Sequence, residues 1–384
     1  MVIDKKDIEL IKAHEIIVVA LEHYNPLGIM RSLGEIGIFP IFVGINYKVP
    51  VASACKYIKT LHQVSTIEDA YKLVMEHYGN LYKESGRKPI LLYSDDDVYS
   101  VFDKNIETVK KAFITANAGV NGRVTKFMDK SEIQNLAVKH GLSVIDSYVV
   151  KPGIVPVGLK YPVITKAISP LVGAWKGDFH ICENEDELRK NMATINAEKC
   201  MIQPYVEKKT EIQYEGFSFN HGKNMFVGVQ CSNNYAIKGY YGPYMHVFPP
   251  EHQDILQKLN SMLEEIGFEG IWEIEFLVDK DDNYLFLEIN FRSSPWSRAS
   301  TIAGNPLSFY WCLAMLTGSC PDAVDFDPFD AMVETVDYCK RVENGICTLP
   351  EWLNDFKQAK CTYYYDENDI APWHLVIKNW DKLK

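Results

Sequence analysis

Two segments constrain this chain more than any others: Trp272–Val278 (WEIEFLV) and Tyr284–Phe291 (YLFLEINF). Each has the composition of a β-strand, and the Asp and Asn residues of Asp279–Asn283 favour a turn, so together they predict a hairpin. Side chains alternate across a strand, which puts Glu273 and Glu275 on one face of the first and Trp272, Ile274 and Phe276 on the other. On the second strand Glu288, Asn290 and Arg292 share a face. With an even loop, Lys280–Asn283, Glu275 falls opposite Glu288 and Glu273 opposite Asn290; other loop lengths give other registers. Leu277 and Phe286 would then lie on the carboxylate face, which is therefore more than a solvated surface.

Directly paired residues in an antiparallel ladder have Cβ atoms about 5 Å apart, and like charges placed there repel. A divalent cation offsets the repulsion. Glu275, Glu288 and Asn290 are hard oxygen donors suited to Mg²⁺ or Mn²⁺. Arg292 would set a fork of donors beside metal-bound phosphates. The competing reading is the polar face of an ordinary hairpin, common on antiparallel sheets.

The amino-terminal part reads differently. Ile16–Ala20 (IIVVA) is a β-branched apolar run typical of a strand buried on both faces, and it leads into a turn-rich stretch, Glu22–Gly28. A helix over 29–36 closed by Gly37, a strand over 39–43, a helix over 66–78 and the strand Ile90–Tyr93 follow. Strands alternating with helices predict a small parallel sheet across the first 120 residues or so. Ligands of such sheets bind beyond the carboxyl ends of strands, which draws attention to Glu22, His23, Asn25 and Asp95–Asp97. The three aspartates also suit a turn.

Further along, helices are predicted over 129–140, 184–196 and 251–266, with Asn184 and Glu187 spaced as a capping box. Strands are predicted over 147–150, 162–166, 200–206 and 211–219. Pro306 and Gly318 bracket an apolar helix, and the segment after Pro321 reads as a less regular extension.

Composition narrows the function. Of 384 residues, 51 are acidic and 40 are Lys or Arg, a net charge of -11 that excludes a generic nucleic-acid binder. Nine cysteines without a CxxC pair argue against a disulfide framework and for a reducing compartment. The opening MVIDKKDIEL lacks a signal-peptide pattern, and no apolar run approaches the roughly 18 residues that span a bilayer. A cytoplasmic protein without a membrane partner is expected.

The hairpin resembles the carboxy-terminal core of the ATP-grasp superfamily, where a Glu-Phe strand (Glu275, Phe276) precedes a Glu-x-Asn-x-Arg strand (Glu288, Asn290, Arg292). NGRVTKFMDKSEIQNLAVKHGLSV is similar to the family segment that leads into the clamp, with Lys130 in the place of its first nucleotide-contacting lysine. YPVITK resembles the strand whose last lysine, here Lys166, holds phosphates. MIQPYVEKKTEIQ resembles the adenine hinge, which implies Gln203, Tyr205 and Val206 at the base and Glu211 at the ribose, with Glu207 and Gln213 as alternatives. The phosphate-covering loop departs from the glycine-rich family pattern: AISPLVGAWKGDF has only Gly173 and Gly177, leaving Ser169 and Lys176 as donors to phosphate. The first 120 residues, with YYYDENDIAPW near the end, look like the D-aspartate ligase-like group of carboxylate-amine ligases.

The resemblance implies an α/β fold: an N-terminal parallel domain (1–125), a two-part ATP-grasp domain with antiparallel sheets (126–320; lid about 160–207, metal-site part about 208–320) and an extension (321–384). It implies ATP and Mg²⁺ (or Mn²⁺) as cofactors, small-molecule carboxylate and amine substrates, and amide formation through an acyl phosphate, with aspartate or another amino acid as one substrate. A homodimer is compatible with it. Arg292 and Lys238 are then expected to be catalytic, and His23, Asn25, Ser294, Arg298 and Asn305 to face substrate. The alternatives are a bicarbonate-activating enzyme of carboxylase or carbamoyl-phosphate type, and a nucleotide-binding protein without turnover.

Overall fold

The computed structural model describes residues 3–46, 48–171, 178–238 and 242–383. It is an α/β structure with one parallel and two largely antiparallel sheets. The parallel sheet contains β1 (Ile16–Leu21), β2 (Ile41–Ile45), β3 (Thr60–Val64), β4 (Ile90–Tyr93) and β5 (Ile114–Thr115), in the order β3-β2-β1-β4-β5. The chain leaves β1 toward β2 on one side and returns to β4 on the other, so the crevice beyond these strands lies between β1 and β4. β4 is buried throughout and β1 as far as Ala20, as their unbroken apolar runs require.

The helix expected over 29–36 begins earlier, at Tyr24, and ends at Gly34. His23 caps it by accepting the Asn25 amide on its side chain, which turns the stretch read as loop into the first helical turn. Gly28 lets this helix approach another, Trp296–Ile302: a Cβ at Gly28 would stand 3.1 Å from that of Arg298. Asp95–Asp97 form no free turn. Asp95 is the N-cap of the helix Asp96–Asp103, and Asp96 and Asp97 occupy its first turn, where the helix dipole favours negative charge.

A four-stranded sheet follows, built of β6 (Tyr148–Val150), β7 (Val163–Ala167), β8 (His180–Cys182) and β9 (Cys200–Pro204) in the order β6-β9-β7-β8. The large sheet contains β10 (Thr210–Phe219), β11 (Asn224–Asn233), β12 (Tyr244–Phe248), β13 (Gly270–Val278), β14 (Tyr284–Asn290), β15 (Phe329–Met332) and β16 (Cys361–Thr362), in the order β14-β13-β10-β11-β12-β15-β16. Residues 321–384, read as an extension, thus supply two strands of this sheet and the helices Glu334–Arg341, Leu349–Gln358 and Ala371–Lys378.

That last segment is tied in by buried polar groups. Glu334 accepts the backbone amides of Tyr363, Tyr364 and Tyr365. Arg31, on the helix after β1, donates to Asp369 and to the carbonyls of Tyr363 and Tyr364. The parallel sheet is joined to the large one where Asn117 and Glu269 exchange backbone hydrogen bonds and where the Ser293 amide donates to the Tyr93 carbonyl. No helix among the described residues is long and apolar enough to cross a membrane, and their nine cysteines are free thiols.

Candidate active site

The carboxylate hairpin forms, and its register is Glu275 opposite Glu288 and Glu273 opposite Asn290. The turn end differs from the expectation. Val278, not Asp279, faces Tyr284, and a bulge between Glu275 and Phe276 restores the pairing at the carboxylates by leaving Leu287 unpaired. The bulge also moves Phe286 off the carboxylate face. It pairs with Phe276 in the core, the rings 5.6 Å apart.

β10 lies against β13 with Gln213 opposite Glu275 and Glu215 opposite Glu273. Three strands therefore carry two polar rungs side by side, Gln213-Glu275-Glu288 and Glu215-Glu273-Asn290. The alternation in TEIQYEGF was the signal for both; sequence reasoning weighed Gln213 only as an alternative contact to the ribose and left Glu215 out of the site.

Arg292 follows β14 and lies between two acids. Its Nη1 donates to Glu273 (3.1 Å), and its Nε donates to Asp96 of the parallel-sheet region (3.3 Å). Burial opposes the guanidinium charge, but Asp96 and Glu273 outweigh it and raise the group above its usual value. Asn290 uses both amide hydrogens, on Glu273 and Glu275 at 2.9 Å each, so only its oxygen remains to serve an ion. Burial, then Glu273 and Glu211, push the Glu275 carboxyl up to about 8.

Lys130 opens the helix Lys130–Lys139, is capped by Asp129, and forms an ion pair with Glu288. Burial and the neighbouring Lys166 ammonium push it down to about 8. Lys166, on β7, is also lowered by burial, partly offset by Glu211 and Glu275. The structure thus gathers Lys130, Lys166, Glu211, Glu275, Glu288, Asn290 and Arg292 around one polar face, with Asp96, Glu215 and Glu273 added.

Gln203 is buried on β9. Its amide nitrogen donates to Ser147 (2.7 Å), and its oxygen has no partner. Tyr205 donates its amide to Pro162, Val206 follows half-buried, and Glu211 accepts from Lys208 (2.8 Å) and Asn233 (3.3 Å). Lys238 lies 5.6 Å from the centre of the Tyr205 ring and 3.8 Å from Glu183, against the four-stranded sheet and its hinge. The Ser169 hydroxyl accepts the Leu171 amide, and Lys176 lies outside the described residues.

The expected substrate residues separate. Ser294 donates to Glu215 beneath the polar face. Arg298 is not brought to that face: its guanidinium pairs with Glu35 and Asp366 and joins helix to carboxy-terminal segment. Asn305 is likewise structural, bonded to Gly228, and to Val324 through both ends of its amide. His23 and Asn25 stay together at the mouth of the parallel sheet, where His23 Nε2 meets Asp95 at 2.6 Å.

The donor set fits a hard cation and a nucleotide. Glu275, Glu288 and the Asn290 oxygen are hard ligands, and Gln213 adds a buried amide oxygen without a partner beside Glu275. As the side chains stand, no three His, Cys, Asp or Glu among the described residues converge on one point. The ion pair of Glu288 with Lys130 is the contact an ion would have to replace. The unpartnered oxygen of buried Gln203 fits a donor such as an exocyclic amine.

Comparison with known proteins gives the same picture. A model of the family described as "Carbamoyl-phosphate synthase L chain, ATP binding domain" matches residues 129–312. The 2-oxoglutarate carboxylase small subunit of Hydrogenobacter thermophilus is 24% identical over 145 residues, 34% of this chain and 30% of that protein, so the match spans under a third of that relative. Among solved structures, N5-carboxyaminoimidazole synthetase from Staphylococcus aureus superimposes with a TM-score of 0.64 at 14% identity, covering 86% of this chain and 85% of that one. An L-amino acid ligase from Bacillus licheniformis gives 0.62 at 11% identity over 83% and 80%. The biotin carboxylase domain dimer of the Hydrogenobacter enzyme, solved with MgADP, ADP and bicarbonate, gives 0.60 at 18% over 82% and 74%. At these identities the structural likeness is one of fold.

Proposed function

We propose that the chain is a member of the ATP-grasp superfamily, as the ATP-binding-domain model matched over residues 129–312 supports, and that it is an ATP-dependent ligase that joins a carboxylate to an amine, with aspartate or another amino acid as one substrate. The observation that carries this reading is Arg292, half-buried between Asp96 and Glu273 and next to the Glu275, Glu288 and Asn290 donor set. A protein that only held nucleotide would have no use for a guanidinium fixed there.

The chemistry has two parts. A carboxylate oxygen attacks the γ-phosphorus of ATP; the bond to the β-phosphate oxygen breaks, and ADP leaves. The amine nitrogen then attacks the acyl carbon, the carbon–nitrogen bond forms, inorganic phosphate departs with the bonding pair, and the amine proton passes to phosphate or solvent. Phosphoryl transfer asks little covalent chemistry of the protein and much charge neutralisation. Lys130 and Lys166 would neutralise nucleotide phosphate, and Gln203, Tyr205, Val206 and Glu211 would seat base and ribose, with Ser169 and Lys176 as further donors to phosphate. Arg292 would stabilise the transferred phosphoryl group, and Lys238 the acceptor carboxylate or its oxyanion. Glu275, Glu288 and Asn290 would hold Mg²⁺ (or Mn²⁺), which when bound draws charge from the phosphates.

A second reading, bicarbonate in place of the organic carboxylate, is favoured by the carbamoyl-phosphate synthase family match and by the carboxylase-type neighbours. We place the protein in the cytoplasm, supported by its free thiols, and a homodimer is consistent with the dimeric neighbour. Purified protein with Mg-ATP and panels of carboxylates and amines decides the matter. Phosphate release that requires both partners supports the ligase, and release with bicarbonate alone supports the second reading. No release across the panels removes both.

A further inference from the structure

The mouth of the parallel sheet contains a buried polar group that nothing among the described residues satisfies. Asn25 is only 9% exposed, and its side-chain nitrogen reaches the Ser94 carbonyl at 3.4 Å, which aims the amide at the carboxyl end of β4. Its oxygen Oδ1 has no hydrogen-bond partner. Leaving a buried acceptor without a donor is unfavourable, so the site favours a ligand that brings one.

The surroundings specify that ligand's charge. Ser94 is followed by three aspartates. Asp95 is fully engaged by the Leu21 amide, the Ser94 hydroxyl and His23. His23 accepts the Asn25 amide on Nδ1, so its Nε2 carries the proton that faces Asp95. Asp96 uses one oxygen on Arg292, which is shared with Glu273, and Asp97 on the same turn is exposed. Glu22, at the end of β1, is engaged by Ala52 and Ser53. Among the described residues around the crevice, the carboxylates outnumber the cations, Arg292 and the Lys130 ammonium that also acts on Asp96, and the buried polar atom left without a partner, Asn25 Oδ1, is an acceptor.

We propose that the crevice between the carboxyl ends of β1 and β4 binds the primary amine substrate as its ammonium, with Asn25 Oδ1 and the Asp96 carboxylate as its acceptors. An ammonium supplies positive charge and three donors, which this set of acceptors matches and a carboxylate would not. The location suits the role, because Asp96 touches Arg292 and the crevice therefore opens one side chain away from where the acyl phosphate would form. The assignment rests on the ligase reading for the word substrate; the ammonium site itself does not.

Saturation-transfer NMR tests it on the full chain with MgADP present. The probes are ammonium-bearing compounds (methylamine, and the common L- and D-amino acids) and the N-acetyl derivative of each. At least one amine is expected to bind while its N-acetyl derivative does not. Asn25→Ala should weaken that binding tenfold or more, and Asn25→Asp, which restores an acceptor, should recover it; thermal melting identifies any variant that has failed to fold. Absence of binding by every amine, equal binding of the acetylated forms, or a bound amine indifferent to both Asn25 variants would overturn the proposal. Carboxylate-dependent hydroxamate formation from ATP and hydroxylamine separates the two ideas. Hydroxamate without amine binding removes this site and leaves the ligase, whereas amine binding at Asn25 without hydroxamate or ADP leaves the site and removes the ligase.

Discussion

Lys130 and Glu288 form an ion pair across the polar face, one from the helix that leads into the clamp and the other from the edge strand of the large sheet. Both are half-buried, and each neutralises the other where a phosphate and a cation would otherwise do so. Glu288 faces Glu275 in the ladder, so Lys130 also relieves a repulsion between like charges.

Replacing Glu288 by Gln removes a hard anionic ligand but keeps the shape. Phosphate release should fall about 100-fold or more, in the range seen when a group that stabilises transition-state charge is lost. The thermal midpoint should move by only a few degrees. Addition of EDTA to the wild-type protein should abolish release. Normal turnover in the Glu288→Gln protein would sink the metal assignment.

Glu215 is buried beside Glu273, with its two oxygens on Ser294 and Ser297. Burial and then Glu273 raise its carboxyl well above the ordinary 4.5, which favours its protonated form in the folded protein. A raised carboxyl stabilises fully below about 4.5, and the contribution disappears as pH climbs through the folded value. Denaturant titrations should therefore show stability falling toward alkaline pH in the wild type and falling less in Glu215→Gln. Glu215→Ala should cost about 1–3 kcal/mol through the two hydroxyls left without their acceptor. Parallel pH profiles for wild type and Glu215→Gln would refute the protonated state.

Arg31 is 1% exposed and joins the helix after β1 to the carboxy-terminal segment through Asp369 and three backbone carbonyls. Removing one partner of a buried ion pair costs about 3–5 kcal/mol. Arg31→Ala should lose that much in urea titrations. Arg31→Lys should recover little of it, because a single ammonium cannot reproduce the planar fork. A stability loss under 1 kcal/mol in Arg31→Ala would show that the Arg31 cluster is not what holds the carboxy-terminal segment in place.

The sequence made the strands of the site legible because their chemistry is written with period two: WEIEFLV and LEIN place acids on one face whatever the length of the turn. The bulge at Leu287 was invisible, since nothing in the local residues shows two of them opposing one. Arg292 was recognised but its partners were not, because Asp96 lies 196 positions away and only folding brings it within reach. Arg298 was misplaced for the converse reason: its position after the metal strand points to substrate, but it sits on a helix that packs at Gly28 and its guanidinium pairs with Glu35 and Asp366. The carboxy-terminal strands, β15 with four residues and β16 with two, are too short to carry a periodic signal.

The bulge at Leu287 also connects the hinge to the metal strand. Gln203 donates to Ser147, the Ser147 hydroxyl donates to Gln134 (3.0 Å), and the Gln134 amide donates to the Leu287 carbonyl (3.3 Å), one residue before Glu288. One end of this chain is the Gln203 oxygen that a nucleobase amine would satisfy, and the other end fixes the backbone that presents a metal ligand. Ser147 and Gln134 bond to Gln203 and to the Leu287 backbone and are not among the residues proposed to face phosphate, so their effect should be on alignment. A lost internal hydrogen bond is worth about 1 kcal/mol, roughly a fivefold change in an equilibrium constant. Gln134→Ala should therefore raise the Mg²⁺ concentration needed for half-maximal phosphate release about fivefold, with metal-free ADP affinity by calorimetry changed less than twofold. Gln203→Leu should weaken ADP binding itself. An unchanged Mg²⁺ requirement in Gln134→Ala would show that the hinge and the metal strand are set independently.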